Sequence, residues 1–137
     1  IAHPQGYELD GELMTAISQH AKTAGGKVEI THDIESAFDG VEAVYAKSWG
    51  SRNFYGAPDQ DMAERAPHRA RWIVDEAKMA RTNSAVFMHC LPAKRGEEVT
   101  ADVIDGKSSV VWIEAENRLH VQKALLEYVL TSNVMMS

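Results

Sequence analysis

The apolar residues of this chain recur with two periods, one typical of helices and one typical of strands. Between residues 9 and 24 they fall three or four positions apart, at Leu9, Leu13, Met14, Ile17 and Ala21. This spacing predicts an amphipathic helix, which Gly25-Gly26 would end. The same argument predicts further helices over residues 32–38, 68–80, 100–105 and 114–130. The last of these is expected to bury a face made of Ala115, Leu119, Ala124, Leu125 and Tyr128 or Val129.

Short apolar runs lie between these helices and predict strands. They cover residues 28–30, 43–46, 85–88 and 109–113, and residues 1–3 have the pattern of the end of another strand. Strands that alternate with helices in units of this size are joined by right-handed crossovers into a parallel sheet. We therefore predict the α/β class, as a three-layer Rossmann-like domain with a parallel sheet of about five strands. A chain of 137 residues is long enough for one hydrophobic core.

Composition narrows the functional classes. Apolar residues make up 45% of the chain and charged residues 25%, as in an ordinary globular domain. The net charge of -6 argues against a general nucleic-acid surface, because phosphate binding relies on clustered Lys and Arg. The single cysteine cannot form an internal disulfide, and neither a signal sequence nor a membrane-spanning apolar run is apparent. We expect a cytoplasmic protein with no nucleic-acid or membrane partner.

The predicted strand at residues 85–88 runs into side chains of chemical interest. His89 and Cys90 end the strand, Pro92 breaks the chain, and Lys94 and Arg95 supply two cations. Ligands of open α/β sheets bind at the carboxyl ends of the strands, so a site is expected here. Two other interpretations stay open. Cys90 and His89 can be buried core residues, and a cysteine beside a histidine is also a candidate nucleophile.

A long loop, residues 47–58, follows the predicted strand at residues 43–46. Loops of this length in compact domains are often binding loops, although a surface excursion is equally compatible with the sequence. Lys47, Ser48 and Trp49 stand at its start. Together they would suit a ligand that carries a carboxylate, because they supply a positive charge and hydrogen-bond donors beside an apolar wall.

Two motifs, in this order, resemble the carboxyl-terminal half of the ornithine carbamoyltransferase family. They are His89-Cys90-Leu91-Pro92, continued by Arg95-Gly96-Glu97-Glu98-Val99-Thr100, and Glu114-Ala115-Glu116-Asn117-Arg118-Leu119-His120. The resemblance runs over the whole chain. It implies that Cys90 and the Leu91 backbone contact the carbamoyl group and that Arg118 binds carbamoyl phosphate. Cys90 and His89 become the candidate catalytic residues, with no proton transfer assigned to His89. From the residues alone, Arg118 can equally pair with one of the acids before it.

The loop at residues 47–58 departs from the ornithine enzymes of that family, which carry an aspartate and a Ser-Met-Gly there. Tyr45-Ala46-Lys47-Ser48-Trp49-Gly50 instead resembles the branch that carbamoylates N-acetylornithine or a related N-acylornithine. A free α-ammonium needs a nearby anion, whereas an acylated nitrogen is neutral and leaves a carboxylate for Lys47 to bind. The candidate amino-acid-binding residues are therefore Lys47, Ser48, Trp49, Leu91, Lys94 and Arg95. Carbamoylation of free ornithine is the alternative.

The family's Ser-Thr-Arg-Thr phosphate loop, which belongs to its first domain, does not occur in this sequence. We therefore expect residues 1–137 to be the second, amino-acid-binding domain, with the amino-terminal carbamoyl-phosphate domain absent and the isolated chain inactive. The implied partners are carbamoyl phosphate, ornithine or N-acylornithine and that missing domain, in a homotrimer when complete. Neither a metal nor an organic cofactor is implied. A non-catalytic ligand-binding domain is the alternative, whereas nucleotide binding is disfavoured because no Gly-x-Gly-x-x-Gly follows a strand.

Overall fold

The computed structural model describes residues 1–132, apart from the side chains of Arg52 and Ser132. Six helices and two strands alternate along these residues. The helices are α1 (Gly11–Thr23), α2 (Ile34–Ala37), α3 (Pro58–Trp72), α4 (Glu76–Met79), α5 (Ala101–Ile104) and α6 (Val111–Ser132), and the strands are β1 (Ala43–Ala46) and β2 (Val86–His89). A short 3-10 turn, Arg52–Phe54, interrupts the loop between β1 and α3. The predicted α/β class is confirmed.

Aspartates cap three of these helices at their amino-terminal ends. Asp10 accepts from the backbone N–H groups of Glu12 and Leu13 at the start of α1. Asp33 and Asp75 do the same for α2 and α4. Each cap satisfies donors that have no partner inside the helix, which stabilises a helix by about 1 kcal/mol. The predicted helix at residues 32–38 thus forms, with the expected aspartate as its cap.

The sheet is smaller than predicted. β1 and β2 pair in parallel, with Ala43 opposite Val86 and Ala46 opposite His89. The predicted strands at residues 1–3 and 28–30 reach each other only in a single parallel bridge, Ala2 to Thr31. Pro4 has no N–H to extend that pairing. Residues 1–132 therefore contain a two-stranded sheet instead of about five strands, and the three-layer arrangement stays a prediction.

The predicted strand at residues 109–113 is wrong. Ser109 makes one parallel bridge to Phe87, and α6 begins two residues later at Val111. A short apolar run can be a buried strand or the buried start of a helix, and periodicity alone does not separate the two. The consequence for the site is that α6 starts one turn earlier than expected and lies beside the end of β2.

The predicted helix at residues 68–80 is also wrong in its extent. α3 begins at Pro58 and contains Pro67, and the chain is extended at Ile73 before α4 starts. Val74 explains the break, because its N–H donates to Glu98 O and its carbonyl accepts from Thr100 N, both at 2.9 Å. This bridge to the segment after β2 competes with continued helix and ties α3 to the region of the predicted site.

The hydrophobic core surrounds β2. Phe87 is fully buried at its centre and packs with other buried residues from the helices and loops around it, which are Ile34, Phe38, Ala46, Val74, Val99, Val103, Ile104 and Val111. This cluster anchors the end of β2, from which His89 and Cys90 follow. The region predicted to carry chemistry is therefore attached to the most buried part of the described chain.

The expected buried face of α6 is not buried within the described residues. Val111 is fully buried, but Leu119, Leu125 and Tyr128 are 57%, 57% and 70% exposed. α6 therefore leaves the core after its first turn and presents a large apolar surface. On α1, similarly, Met14 is buried while Leu13 is 54% exposed. Among residues 1–132, no helix combines the length and the apolar character that crossing a lipid bilayer requires.

We expect Phe87→Ala to destabilise the protein by about 3 to 5 kcal/mol, because it removes a fully buried aromatic ring from the centre of the core. Urea denaturation followed by circular dichroism measures this. Tyr55→Ala is the matched control, since the Tyr55 side chain is 97% exposed, and we expect a change within about 0.5 kcal/mol. Equal losses in the two variants would contradict the position of the core.

Candidate active site

The parallel pairing of β1 and β2 brings two loops to one edge of the sheet. Ala46 and His89 are partners in the register, so Lys47 and Cys90 leave the two strands side by side. α6 joins them there, because the backbone N–H of His89 donates to Glu114 Oε2 at 3.0 Å. This is the edge at which open α/β sheets bind their ligands.

An open cleft of about 700 Å³ lies at this edge. Its walls come from β1, from the turn after β2 and from the first turns of α6. The lining residues include Tyr45, Cys90, Leu91, Glu114, Asn117 and Arg118. Three predicted site residues, Cys90, Leu91 and Arg118, are thus brought together around one cleft.

Arg118 contacts the turn that contains Cys90. Its Nη2 donates to the backbone carbonyl of Cys90 at 2.8 Å. The alternative of an ion pair with Glu114 or Glu116 is not seen among the described residues, where Glu116 lies 3.7 Å from His120 instead. The guanidinium is exposed and keeps donors free for a ligand in the cleft.

His89 is a buried, neutral histidine. Its side chain is 1% exposed, and its Nδ1 accepts the backbone N–H of Leu91 at 2.9 Å. Burial lowers the pKa of the imidazole, and the nearby positive charge of Lys47 lowers it further, while Glu98 and Glu114 act in the opposite direction. Because Nδ1 accepts a hydrogen bond, the ring proton sits on Nε2, which is buried and has no partner within residues 1–132.

The backbone after Cys90 has an unusual conformation. Leu91 has a φ of 50°, in the left-handed region that bulky residues rarely adopt, and a cis peptide bond joins it to Pro92. A residue held in this region costs on the order of 1 kcal/mol or more and persists where its surroundings impose it. His89 bonds the Leu91 N–H and Arg118 bonds the carbonyl before it, so two side chains impose this conformation.

Glu98 joins the two loops behind the cleft. It is 2% exposed, and its two oxygens accept from Ser48 Oγ and from the backbone N–H of Lys94, both at 2.7 Å. Hydrogen bonds to an ionised carboxylate are among the stronger ones in proteins. The start of the loop after β1 is therefore fixed relative to the turn after β2.

The three predicted cations differ in their surroundings. Lys47 is exposed and, among the described residues, makes neither an ion pair nor a hydrogen bond. Lys94 Nζ lies 3.8 Å from Glu97. Arg95 forms a two-pronged ion pair with Asp105, at 2.9 and 2.6 Å. None of these three cations is among the residues that line the cleft. Lys47 is the one of the three whose charge is uncommitted.

Trp49 is held against α3. Its ring meets Tyr7 edge to face at 5.2 Å, and its carbonyl accepts from Arg65 at 2.8 Å. Arg65 is paired in turn with Asp61, which accepts the backbone N–H of Ser51. Trp49 thus stabilises the base of the loop and does not line the cleft that contains Cys90.

Sequence reasoning missed five residues that line the cleft: Tyr45, Glu114, Asn117, Val121 and Gln122. Tyr45 OH donates to Glu114 Oε1 at 2.8 Å, and Glu114 raises the pKa of the phenol to about 12. The signal for Tyr45 was its place near the end of β1. Glu114 and Asn117 belong to the second motif and to the predicted helix at residues 114–130, but the motif by itself assigns neither of them a role in the site. Among residues 1–132, groups of three or more His, Cys, Asp or Glu side chains arranged to hold a metal ion are absent.

Comparison with known proteins identifies the family. The family described as aspartate/ornithine carbamoyltransferase, Asp/Orn binding domain, matches residues 1–129. The chain therefore belongs to this family of carbamoyltransferases, and the predicted resemblance is confirmed.

Individual relatives carry two different names. The chain is 44% identical over 122 residues to N-acetylornithine carbamoyltransferase of Xanthomonas campestris, covering 88% of this chain and 35% of that protein. It is 46% identical over 133 residues to ornithine carbamoyltransferase of Methylococcus capsulatus, covering 96% of this chain and 41% of that protein. The chain thus spans between a third and a half of the length of these relatives.

Solved structures match the fold closely. Acetylornithine transcarbamylase complexed with acetylcitrulline is 42% identical, with a TM-score of 0.84, and the match covers 92% of this chain and 38% of that one. A variant of N-acetyl-L-ornithine transcarbamylase, complexed with carbamyl phosphate and N-succinyl-L-norvaline, matches with the same identity, TM-score and coverage.

The buried His89 predicts a pH-dependent stability. The unfolded chain takes up a proton on His89 near the ordinary pKa of about 6.5, whereas the folded protein resists protonation until lower pH because burial lowers the pKa. Between these two values the unfolded state binds more protons, so the free energy of unfolding should fall as the pH is lowered. His89→Asn, whose side-chain oxygen can still accept the Leu91 N–H, should remove this part of the slope.

Chemical denaturation measures the free energy of unfolding as a function of pH. The pH values run from about 4.5 to about 7.5, in steps of about half a unit, so that they lie on both sides of the ordinary histidine pKa. His20→Asn is the control, because His20 is exposed on α1, and it should keep the wild-type slope. An unchanged slope in His89→Asn would show that His89 is not the group responsible.

Proposed function

We propose that this chain is the amino-acid-binding domain of an enzyme that transfers the carbamoyl group of carbamoyl phosphate to the side-chain amine of N-acetylornithine or another N-acylornithine, in arginine biosynthesis. The observation that supports an acylated substrate is Lys47, a cation with an uncommitted charge at the carboxyl end of β1. It directly follows Ala46, the register partner of His89, so it lies close to the turn that contains Cys90. Relatives and solved structures named for N-acetylornithine support the same reaction.

The reaction depends more on hydrogen-bond donors near the carbonyl oxygen than on a nucleophilic side chain of the protein. The amine nitrogen attacks the carbonyl carbon of carbamoyl phosphate, the new C–N bond forms, the bond from carbon to the phosphate oxygen breaks, and the amine loses a proton. A negative charge develops on the carbonyl oxygen on the way, and preorganised donors can stabilise it by about 3 to 4 kcal/mol each. We assign Arg118 to carbamoyl phosphate, and the Cys90 side chain and Leu91 backbone to the carbamoyl group.

The environment of His89 supports direct transfer over a covalent intermediate on Cys90. A thiol becomes a strong nucleophile when a neighbouring base removes its proton. His89 Nδ1 already accepts the Leu91 N–H, and Nε2 carries the ring proton. The imidazole therefore has no free lone pair with which to activate Cys90, and its role in the motif is to shape the turn.

The charged side chains of the loop indicate which group the substrate carries on its α-nitrogen. Lys47 supplies a partner for the substrate carboxylate, and the aspartate expected for a free α-ammonium is missing from the loop. Ser48 supports this arrangement through Glu98, which fixes the start of the loop. Trp49, Lys94 and Arg95 keep the weaker assignment of substrate contacts, because their present partners lie outside the cleft.

Free ornithine is the second candidate substrate. It is favoured by the relative from Methylococcus capsulatus, which carries the name ornithine carbamoyltransferase. Glu98 adds a physical reason, because it places a buried carboxylate directly beside Ser48. A carboxylate at this point is the kind of group that an α-ammonium would need.

We further propose that the chain acts together with an amino-terminal carbamoyl-phosphate domain, in a homotrimer, and that it is inactive alone. The relatives are more than twice as long as the part that this chain covers. The exposed apolar residues of α6, among them Leu119, Leu125 and Tyr128, offer a surface for that domain. Apolar patches of this kind mark contacts with other protein surfaces.

The test of the proposed reaction is a carbamoylation assay on the complete enzyme that carries this chain. Ornithine, N-acetylornithine and N-succinylornithine are compared at a fixed concentration of carbamoyl phosphate, with phosphate release as the readout. We expect an acylated substrate to be strongly preferred. Preference for free ornithine would contradict the assignment of Lys47, and turnover of none of the three would favour a non-catalytic binding domain.

We expect Lys47→Met to raise the Michaelis constant for the amino-acid substrate roughly 10- to 100-fold, because a hydrogen bond to a charged group contributes about 1.5 to 3 kcal/mol. The Michaelis constant for carbamoyl phosphate should change little. Steady-state kinetics with each substrate varied in turn measures both. Lys27→Met is the control, since Lys27 lies on the surface beside Glu29, and an unchanged constant in Lys47→Met would refute the role of Lys47.

A further inference from the structure

α6 contacts the turn around Cys90 at two positions that are one helical turn apart. Glu114 Oε2 accepts the backbone N–H of His89 at 3.0 Å, and Arg118 donates to the backbone carbonyl of Cys90 at 2.8 Å. Residues four positions apart lie on the same face of a helix. One face of α6 therefore binds the turn at the N–H before Cys90 and at the carbonyl of Cys90 itself.

The second oxygen of Glu114 is also used. Glu114 Oε1 accepts the hydroxyl of Tyr45 at 2.8 Å, and Tyr45 also lines the cleft. The hydrogen bond to this carboxylate raises the pKa of the Tyr45 phenol to about 12, since the bond stabilises the protonated form. A single carboxylate thus connects β1, the end of β2 and the first turn of α6.

We propose that Glu114 is a positioning residue of the active site, which holds the Cys90 turn and the Tyr45 wall in the geometry that carbamoyl phosphate needs. This rests on the proposed function. Both oxygens of Glu114 accept hydrogen bonds from the protein, which fixes the carboxylate between the Cys90 turn and Tyr45. Its effect passes through Cys90, Leu91 and Arg118, which line the cleft.

The geometry distinguishes a hydrogen-bonding role from a charge role. A glutamine at position 114 can accept the His89 N–H with its carbonyl oxygen and donate its amide N–H to the Tyr45 oxygen, so both contacts can persist. An alanine loses both. Glu114→Gln should therefore rescue most of what Glu114→Ala loses.

The experiment is steady-state kinetics of the complete enzyme, with carbamoyl phosphate varied at a saturating concentration of the preferred amino-acid substrate. We expect Glu114→Ala to lower kcat/KM for carbamoyl phosphate about tenfold or more, since the lost bonds involve a charged acceptor. Glu114→Gln should stay within about threefold of the wild type. Glu116→Ala is the matched control on the same helix, because Glu116 is exposed and its ion-pair partner among residues 1–132 is His120, and it should leave kcat/KM unchanged.

The kinetic constants distinguish a variant that is partly unfolded from a variant whose Cys90 turn is displaced. Simple loss of folded enzyme lowers kcat and leaves the Michaelis constants unchanged, whereas a displaced turn raises the Michaelis constant for carbamoyl phosphate. Equal effects of Glu114→Ala and Glu116→Ala would overturn the proposal. If Glu114→Ala does not fold, Tyr45→Phe decides instead: a fall of about threefold in kcat/KM supports the proposal, and no change refutes it.

A second readout does not depend on turnover, so failure of the proposed function can be told apart from failure of this inference. Cys90 is the only cysteine of this chain, and its rate of reaction with a disulfide reagent such as 5,5′-dithiobis(2-nitrobenzoate) reports on the turn. Subtracting the signal of a Cys90→Ala version isolates Cys90 in the complete enzyme. We expect a severalfold change of rate in Glu114→Ala and none in Glu116→Ala, whereas equal rates would refute the positioning role even if the enzyme is inactive.

Discussion

The parallel pairing of β1 with β2 is the constraint on which the rest of the site depends. Its register places Ala46 opposite His89, so the chain leaves both strands at the same edge. Phe87, fully buried in the middle of β2, fixes this edge to the core. A shift of one residue would turn the opposite set of side chains inward, which would expose Phe87 and His89 to solvent. The cost of exposing those side chains holds the two loops in place and gives the cleft a defined shape.

Buried polar groups then fix the details that packing leaves open. Glu98 ties Ser48 to the backbone of Lys94, and His89 takes the N–H of Leu91. Each of these groups would be costly to bury without its partner, so together they allow few alternative arrangements of the two loops. Leu91 shows the result, since its left-handed backbone persists between two such contacts. Apolar packing alone does not select such a conformation.

The sequence predicted the location of the site better than the elements around it. His89 and Cys90 could be found because a strand that stops at polar residues has one chemically useful edge, and Arg118 because its motif follows in order. The helix α6 was predicted, but its start at Val111 was not, because four apolar residues in a row carry no period. The break at Ile73 was hidden as well, since it depends on a bridge from Val74 to residues 25 positions later. Long-range contacts of this kind leave no local pattern.

α6 contacts the Cys90 turn near its amino-terminal end and leaves the core beyond that point. Glu114 and Arg118 hold the Cys90 turn from the first two turns of this helix, whereas the apolar residues around Leu125 are uncovered within residues 1–132. A helix transmits a shift along its axis because its backbone hydrogen bonds make it stiff. A surface that covers the far end of α6 would therefore set the position of Glu114 and Arg118 at the near end. In the proposed two-domain enzyme, a domain that covers this part of α6 would therefore also influence the geometry of the cleft.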